Sequence, residues 1–183
     1  MPGSKRKTPR LRFGRFSVPG ENYFVTLCTK RRAKILVHPA TARVVITAML
    51  ELQAAGDAEI LAATVMPDHV HLLLTLGQRL SIGQTIGKFK ALAREQGRAA
   101  WKWQDDGFEH RVRDIESIED YAFYIFMNPY RANLVGPNSR WHSWLCPNPF
   151  LFQFTGKLPP DGVLPIEWFH IVDSVAQRIR VGT

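Results

Sequence analysis

Met66-Pro67-Asp68-His69-Val70-His71-Leu72-Leu73-Leu74 sets two histidines, with one bulky aliphatic between them, at the head of an apolar run that reads as a β-strand. Strand side chains alternate, so His69 and His71 share a face, roughly 6.6 Å apart along it. Val70, Leu72, Leu74 and Leu76 then point to the other face, where they can pack under helices. Two imidazoles on one face can share a metal ion. The pattern is short, and two ordinary polar residues on a half-buried strand would look the same. A functional reading therefore needs a nucleophile and a substrate surface from elsewhere in the chain.

Working outward, Glu59–Met66 reads as a strand joined to His69–Leu76 through a tight turn at Pro67-Asp68. Glu21–Thr29 (ENYFVTLCT) is aromatic and β-branched and reads as an earlier strand. Between them, Pro39–Ala54 has helical apolar spacing at Val44, Val45, Ala48, Met49 and Leu52, ended by Gly56-Asp57. Ser81 is a suitable N-cap for a helix from Ile82 to about Trp103. Its apolar stripe is Ile86, Phe89, Leu92 and Ala93, and Lys88, Lys90, Arg94, Arg98 and Lys102 make it basic, offset only by Glu95. Phe108–Arg113 is a short strand candidate. Ser117 caps a third helix through Tyr121, Phe123, Tyr124 and Phe126, with a stop expected at Pro129. The rest, from Asn133 on, is rich in Pro and Trp, with a short terminal helix expected over Ile166–Ile179. The order β-α-β-β-α-β followed by a helix predicts an α+β fold. Its core is a ferredoxin-like antiparallel sheet with helices on one face, joined by the helix that carries the tyrosine.

The chain has 183 residues, enough for one domain with a proper core and too few for two comfortable ones. Its net charge of +8 speaks of a polyanionic partner such as nucleic acid. The excess is concentrated early: residues 1–34 hold ten Lys or Arg against one acid, Glu21. Lys5, Arg6, Lys7, Arg10, Arg12 and Arg15 form a basic arm over residues 1–19, which suits phosphate contacts as well as a solvated tail. The basic face of Lys88, Lys90, Arg94 and Arg98 reads as a second phosphate track, or equally as a solvated face. The two cysteines, Cys28 and Cys146, make no disulfide framework, so a reducing cytoplasm fits. No apolar run approaches the ~20 residues of a membrane span, and the basic N-terminus lacks the apolar core of an export signal.

On the third helix Tyr124 and Asn128 stand four residues apart, hence on one face. If that face meets His69 and His71, two imidazoles, a carboxamide oxygen and a phenol converge. A divalent cation there could polarise a phosphate oxygen, while tyrosine could attack the phosphodiester and hold it covalently. Because Asn128 precedes Pro129, its alignment with Tyr124 is expected to be loose. Tyrosines on an amphipathic helix also serve simply as core or rim residues.

His69-Val70-His71 resembles the HUH motif (His, hydrophobic, His) of single-tyrosine transposases that act on single-stranded DNA. Tyr124-Ile125-Phe126-Met127-Asn128-Pro129, followed by Tyr130-Arg131-Ala132-Asn133-Leu134-Val135, is similar to that family's tyrosine helix. More narrowly, Trp103-Gln104-Asp105-Asp106-Gly107-Phe108-Glu109-His110, Arg113 and Trp141-His142-Ser143-Trp144 resemble the REP-associated tyrosine transposases. The likeness covers roughly residues 20–145, leaving 146–183 as a C-terminal tail. It departs from the family at Phe126, Met127 and Tyr130, which are often more polar or smaller there. The resemblance implies cleavage and rejoining of single-stranded DNA beside a hairpin, through a 5′-phosphotyrosine and a free 3′-hydroxyl, with Mg²⁺ or Mn²⁺. By motif, His69, His71 and Asn128 become metal ligands and Tyr124 the nucleophile. The partners implied are hairpins of repetitive extragenic palindromes, with no small-molecule cofactor, and a monomer or homodimer. A DNA-hairpin-binding protein without catalysis would keep the same charge and fold. A small zinc hydrolase using His-x-His is the third reading, and it lacks an evident third His, Asp or Glu ligand.

Overall fold

In the computed structural model, which describes residues 17–97 and 101–181, the first strand, β1, spans Asn22–Cys28. Helix α1 (Pro39–Ala54) starts on a proline, whose missing N–H costs nothing in a first turn. Strands β2 (Ala58–Val65) and β3 (His69–Leu76) form an antiparallel hairpin. Helix α2 (Ile82–Gln96) opens with a complete capping box: the Ser81 hydroxyl accepts from the Gln84 N–H, and the Gln84 side chain accepts from the Ser81 N–H. Strand β4 (Phe108–Arg111), helix α3 (Ile118–Arg131), a two-residue strand β5 (Trp144–Leu145) and helix α4 (Glu167–Arg178) complete the chain. The five strands lie in the order β4-β1-β3-β2-β5, each pair antiparallel.

The sheet separates two apolar cores. Tyr23, Val25, Leu27, Val70, Leu72, Leu74 and Leu76 face α1 and α2. Phe24, Leu61, Ala62 and Leu73 face α3, which is covered in turn by Phe152, Phe154, Trp168, Val172 and Val175 from the segment after Cys146. Each Val, Leu or Phe among them contributes about 1.5–3 kcal/mol when fully buried. The α1–α2 pair therefore occupies one face, as the pattern predicts, and the tyrosine helix occupies the other. On that second face β2 carries a bulge between Ile60 and Ala62, which turns Leu61 and Ala62 together towards α3.

Two helix ends differ from the sequence reading. Helix α2 stops at Gln96 instead of running to Trp103. The chain there returns to the sheet: Trp101 and Trp103 are buried in the first core, Trp103 packs on Phe89, and Trp103 bridges to Thr29. Conversely, α3 continues through Pro129 to Arg131. Every residue from Tyr121 to Tyr130 is buried. That packing outweighs the loss of one helical hydrogen bond close to the helix end, where a proline disturbs least.

Candidate active site

The two histidines lie on β3, the middle strand, with β1 on one side and β2 on the other. In register, Thr26 of β1 and Thr64 of β2 stand opposite His71, and Cys28 stands opposite His69. The imidazoles are held from behind. Asp68 Oδ1 lies 2.6 Å from His69 Nδ1, and Thr26 Oγ1 lies 3.0 Å from His71 Nδ1. An ionised carboxylate can only accept, so His69 carries its proton on Nδ1 and keeps a lone pair on Nε2. A hydroxyl can accept or donate. Thr26 thus supports both tautomers of His71: one whose Nε2–H bridges to His69, and one whose Nε2 offers a lone pair to a cation.

The two Nε2 atoms face each other at 3.1 Å. Two nitrogens bound to one cation at a right angle, each about 2.1 Å from it, would be about 3.0 Å apart, so the pair fits a shared divalent ion. Electrostatics agree. Burial lowers the pKa of His69 despite the opposing pull of Asp68. His71 is held well below the ordinary histidine value by burial first, then by His69, Arg32 and Arg131. Both rings are therefore neutral at neutral pH, the form that ligates metal. Among the described residues no group of three or more His, Cys, Asp or Glu is arranged to hold a metal. Among those residues a further donor to this pair would be an oxygen of another kind, such as an amide or hydroxyl, and water or a phosphate oxygen could complete the set.

Helix α3 lays Tyr124 against this face. Its ring lies 5.6 Å from that of His71 and 6.3 Å from that of Phe24, both edge-on. Because α3 stays helical through Pro129, Asn128 sits one full turn beyond Tyr124 on the same face. Asn128 is buried, and its Nδ2 has no hydrogen-bond partner in the protein. A buried amide without protein partners is costly unless something else satisfies it. The unpartnered atom is a donor, which an acceptor would satisfy, and only Oδ1 of this amide could ligate a cation; its alignment with Tyr124 is tighter than its place before a proline predicts.

Tyr121 is disposed otherwise. Its hydroxyl donates to Glu116 and accepts from the Arg180 N–H, while Glu116 also binds His110. Burial above all, with the Glu116 carboxylate, pushes its pKa up to about 12. It is a locked structural phenol.

Four neighbours escaped the sequence reading: Thr26, Asp68, Arg32 and Arg131. Asp68 was signalled by adjacency to His69, and Thr26 by strand alternation once register is known. Arg31 and Arg32 adopt left-handed backbone (φ 60° and 54°), which costs about 1–2 kcal/mol per non-glycine residue. The turn is pinned by Thr29, whose N–H and hydroxyl both donate to the Asp68 carbonyl, and whose hydroxyl also reaches the Ala33 carbonyl. Arg32 Nη1 thereby comes within 3.8 Å of Asp68 Oδ2. Arg131, at the end of α3, places its guanidinium carbon 5.4 Å from the centre of the Tyr124 ring.

The basic candidates divide into three groups. Lys5, Arg6, Lys7, Arg10, Arg12, Arg15 and Arg98 lie outside the described residues. Lys88 is engaged with the buried carboxylate of Asp57, which Arg79 also binds. Lys90 donates to the carbonyls of Gln104 and Asp105, and burial lowers its pKa. Arg94 lines an open groove of about 340 Å³ with Lys90, Lys102, Trp103 and Gln104. Among the described residues no helix is long and apolar enough to cross a membrane.

Known proteins resemble this chain in sequence and in fold. Residues 17–106 match the family described as "Transposase IS200 like". Over those residues the chain is similar to a class of transposases. Within that class its likeness is to the REP-associated tyrosine transposases. The protein of that name from Escherichia coli (strain K12) is 21% identical over 173 residues, covering 92% of this chain and 97% of the relative. A solved REP-associated tyrosine transposase bound to a REP hairpin superposes with a TM-score of 0.63 at 22% identity, over 84% of this chain and 88% of that one, and so shares the fold. A putative transposase from Deinococcus radiodurans R1 is 24% identical, with a TM-score of 0.46, over 55% of this chain and 85% of that one.

Proposed function

We propose that the protein cleaves and rejoins single-stranded DNA beside a REP-type hairpin, with Tyr124 as nucleophile and a hard divalent cation, Mg²⁺ or Mn²⁺, at His69, His71 and Asn128. The observation that carries this reading is the meeting of the paired Nε2 atoms with the Tyr124 ring across the β3–α3 contact. When bound, the cation would draw charge from a phosphate oxygen. The chain's own residues do the rest. Asp68 and Thr26 hold the imidazoles in ligating orientation, and α3 brings the phenol to the phosphate they gather. The Tyr124 Oη–P bond forms as the P–O3′ bond breaks, leaving a 5′-phosphotyrosine and a 3′-hydroxyl. The phenolic proton is lost to solvent and the departing O3′ takes one up. Attack by a 3′-hydroxyl on the phosphotyrosine reverses the sequence and rejoins strands. Imidazole and carboxamide donors with water suit Mg²⁺ and Mn²⁺, and Mn²⁺, the later ion, is favoured by imidazole. The basic arm and the groove at Arg94 would hold DNA phosphates, and the reaction would take place in a bacterial cytoplasm.

The test is a hairpin-bearing single-stranded oligonucleotide cut in the presence of Mg²⁺ or Mn²⁺. His69→Ala should abolish cutting and leave hairpin binding largely intact, since phosphate contacts arise elsewhere. A His69→Ala protein that cuts like wild type, or a site active solely with Zn²⁺, would refute the assignment.

A further inference from the structure

Two arginines bracket the histidine–tyrosine site, and among the described residues neither is held by a buried ion pair. Arg32 comes from the left-handed turn after β1 and stands 3.8 Å from Asp68, the residue that orients His69. That distance is longer than a direct hydrogen bond, and the side chain is 43% exposed. Arg131 ends the tyrosine helix, with its guanidinium over the Tyr124 ring. Its ion pair among the described residues, Nε to Asp173 at 3.2 Å, is to a carboxylate that is itself 67% exposed and therefore weakly binding. One cation thus stands at the His69 end of the site and the other at its tyrosine end. A guanidinium presents a planar fork of donors matched to phosphate oxygens, and among the described residues neither fork is saturated by protein acceptors.

We propose that the guanidinium groups of Arg32 and Arg131 form a clamp on the phosphodiester that Tyr124 attacks, positioning it and offsetting the charge that grows on its non-bridging oxygens. The inference rests on the transposase reading above. It explains why two consecutive arginines are held in a costly left-handed turn beside the histidines: the strained turn delivers Arg32 to that point. It also explains why Arg131 lies two turns beyond Tyr124 on one helix, where nucleophile and clamp move as one body. In the attack the phosphate gains the phenolate's charge before the alkoxide departs, so the pentacovalent state carries more negative charge than the diester. Donors placed around those oxygens favour that state.

The experiment measures single-turnover formation of the Tyr124–DNA adduct at saturating hairpin substrate with Mn²⁺, on the full chain. Arg32→Gln and Arg131→Gln should each slow the adduct by about 10–100-fold while hairpin affinity changes little, with part of the loss recovered in Arg131→Lys. Asp173→Asn removes the ion pair of Arg131 but keeps its guanidinium, and should leave the rate unchanged. A methylphosphonate at the scissile position removes one charged oxygen and should bring the glutamine variants close to wild type. Equal penalties on phosphate and methylphosphonate, or a loss in Asp173→Asn matching that in Arg131→Gln, would overturn the clamp in favour of a structural role. Wild-type adduct at Tyr124 with fully active glutamine variants would overturn the clamp alone. A wild-type chain that forms no adduct, or a Tyr124→Phe chain that still does, would overturn the transposase reading and the clamp with it.

Discussion

Tyr124 and Tyr121 sit three residues apart on one helix, and their surroundings assign them different work. Tyr121 spends its hydroxyl on Glu116 and Arg180, so its proton is firmly held. Tyr124→Phe should therefore eliminate the protein–DNA adduct while leaving fold and hairpin binding intact. Tyr121→Phe should keep the adduct and lower stability by about 1 kcal/mol, the usual worth of a buried hydrogen bond. Peptide mapping of the trapped adduct checks both, and modification at Tyr121, Tyr23 or Tyr130 would sink the assignment. Asp68 and Thr26 act through the histidines. Asp68→Ala should weaken Mn²⁺ binding by about 10–100-fold, measured by electron paramagnetic resonance titration independently of cleavage. Unchanged Mn²⁺ affinity would mean that Asp68 serves only the turn.

At the level of elements, the parts readable in the sequence were those whose signal is local. The period of two in His69–Leu76, the apolar spacing of Pro39–Ala54 and the cap at Ser81 all rest on neighbouring residues, and β3, α1 and the start of α2 follow them. The ends of α2 and α3 did not follow, because distant partners decide them: Phe89 and the sheet recover Trp103, and a fully buried environment carries α3 past Pro129. Strand β5 is too short to have a period, and the Leu61 bulge leaves no local trace. Within the site the histidines and tyrosine were legible as motifs. Arg32 and Arg131 were not, since a basic residue looks the same in sequence whether it faces solvent or a nucleophile. Asp57 illustrates a similar blindness: it lies behind a helix end yet ties α2 to the start of β2 through Lys88. Its hydrogen bond from Lys88 outweighs burial and lowers its pKa. Such a depressed carboxylate stabilises the fold above the ordinary aspartate value, about 3.9, and that contribution disappears as pH falls from there through the lowered folded-state value. Asp57→Asn should cost about 2 kcal/mol at pH 7 and flatten the acid limb of a stability–pH curve. An unaltered acid limb would show that other carboxylates set it.

For the whole molecule, the charge of +8 bears on how DNA is gathered before chemistry begins. Removing residues 1–15, which hold six basic side chains, should weaken hairpin binding and flatten its salt dependence. The slope should fall by roughly 0.7 for each phosphate of the single strand that the shortened chain no longer neutralises. An unchanged slope would leave the arm a solvated tail. The sheet's layout has a further consequence. His69 and His71 open the central strand, which is hydrogen-bonded on both edges and flanked on its two faces by separate cores. Segments so placed open only when the entire domain opens. The two histidines thus have no private route to failure. On heating, activity should persist undiminished by local fraying and vanish over the same few degrees as the tertiary structure. An enzyme of this design reports its own folding: as long as it cuts, its centre is intact.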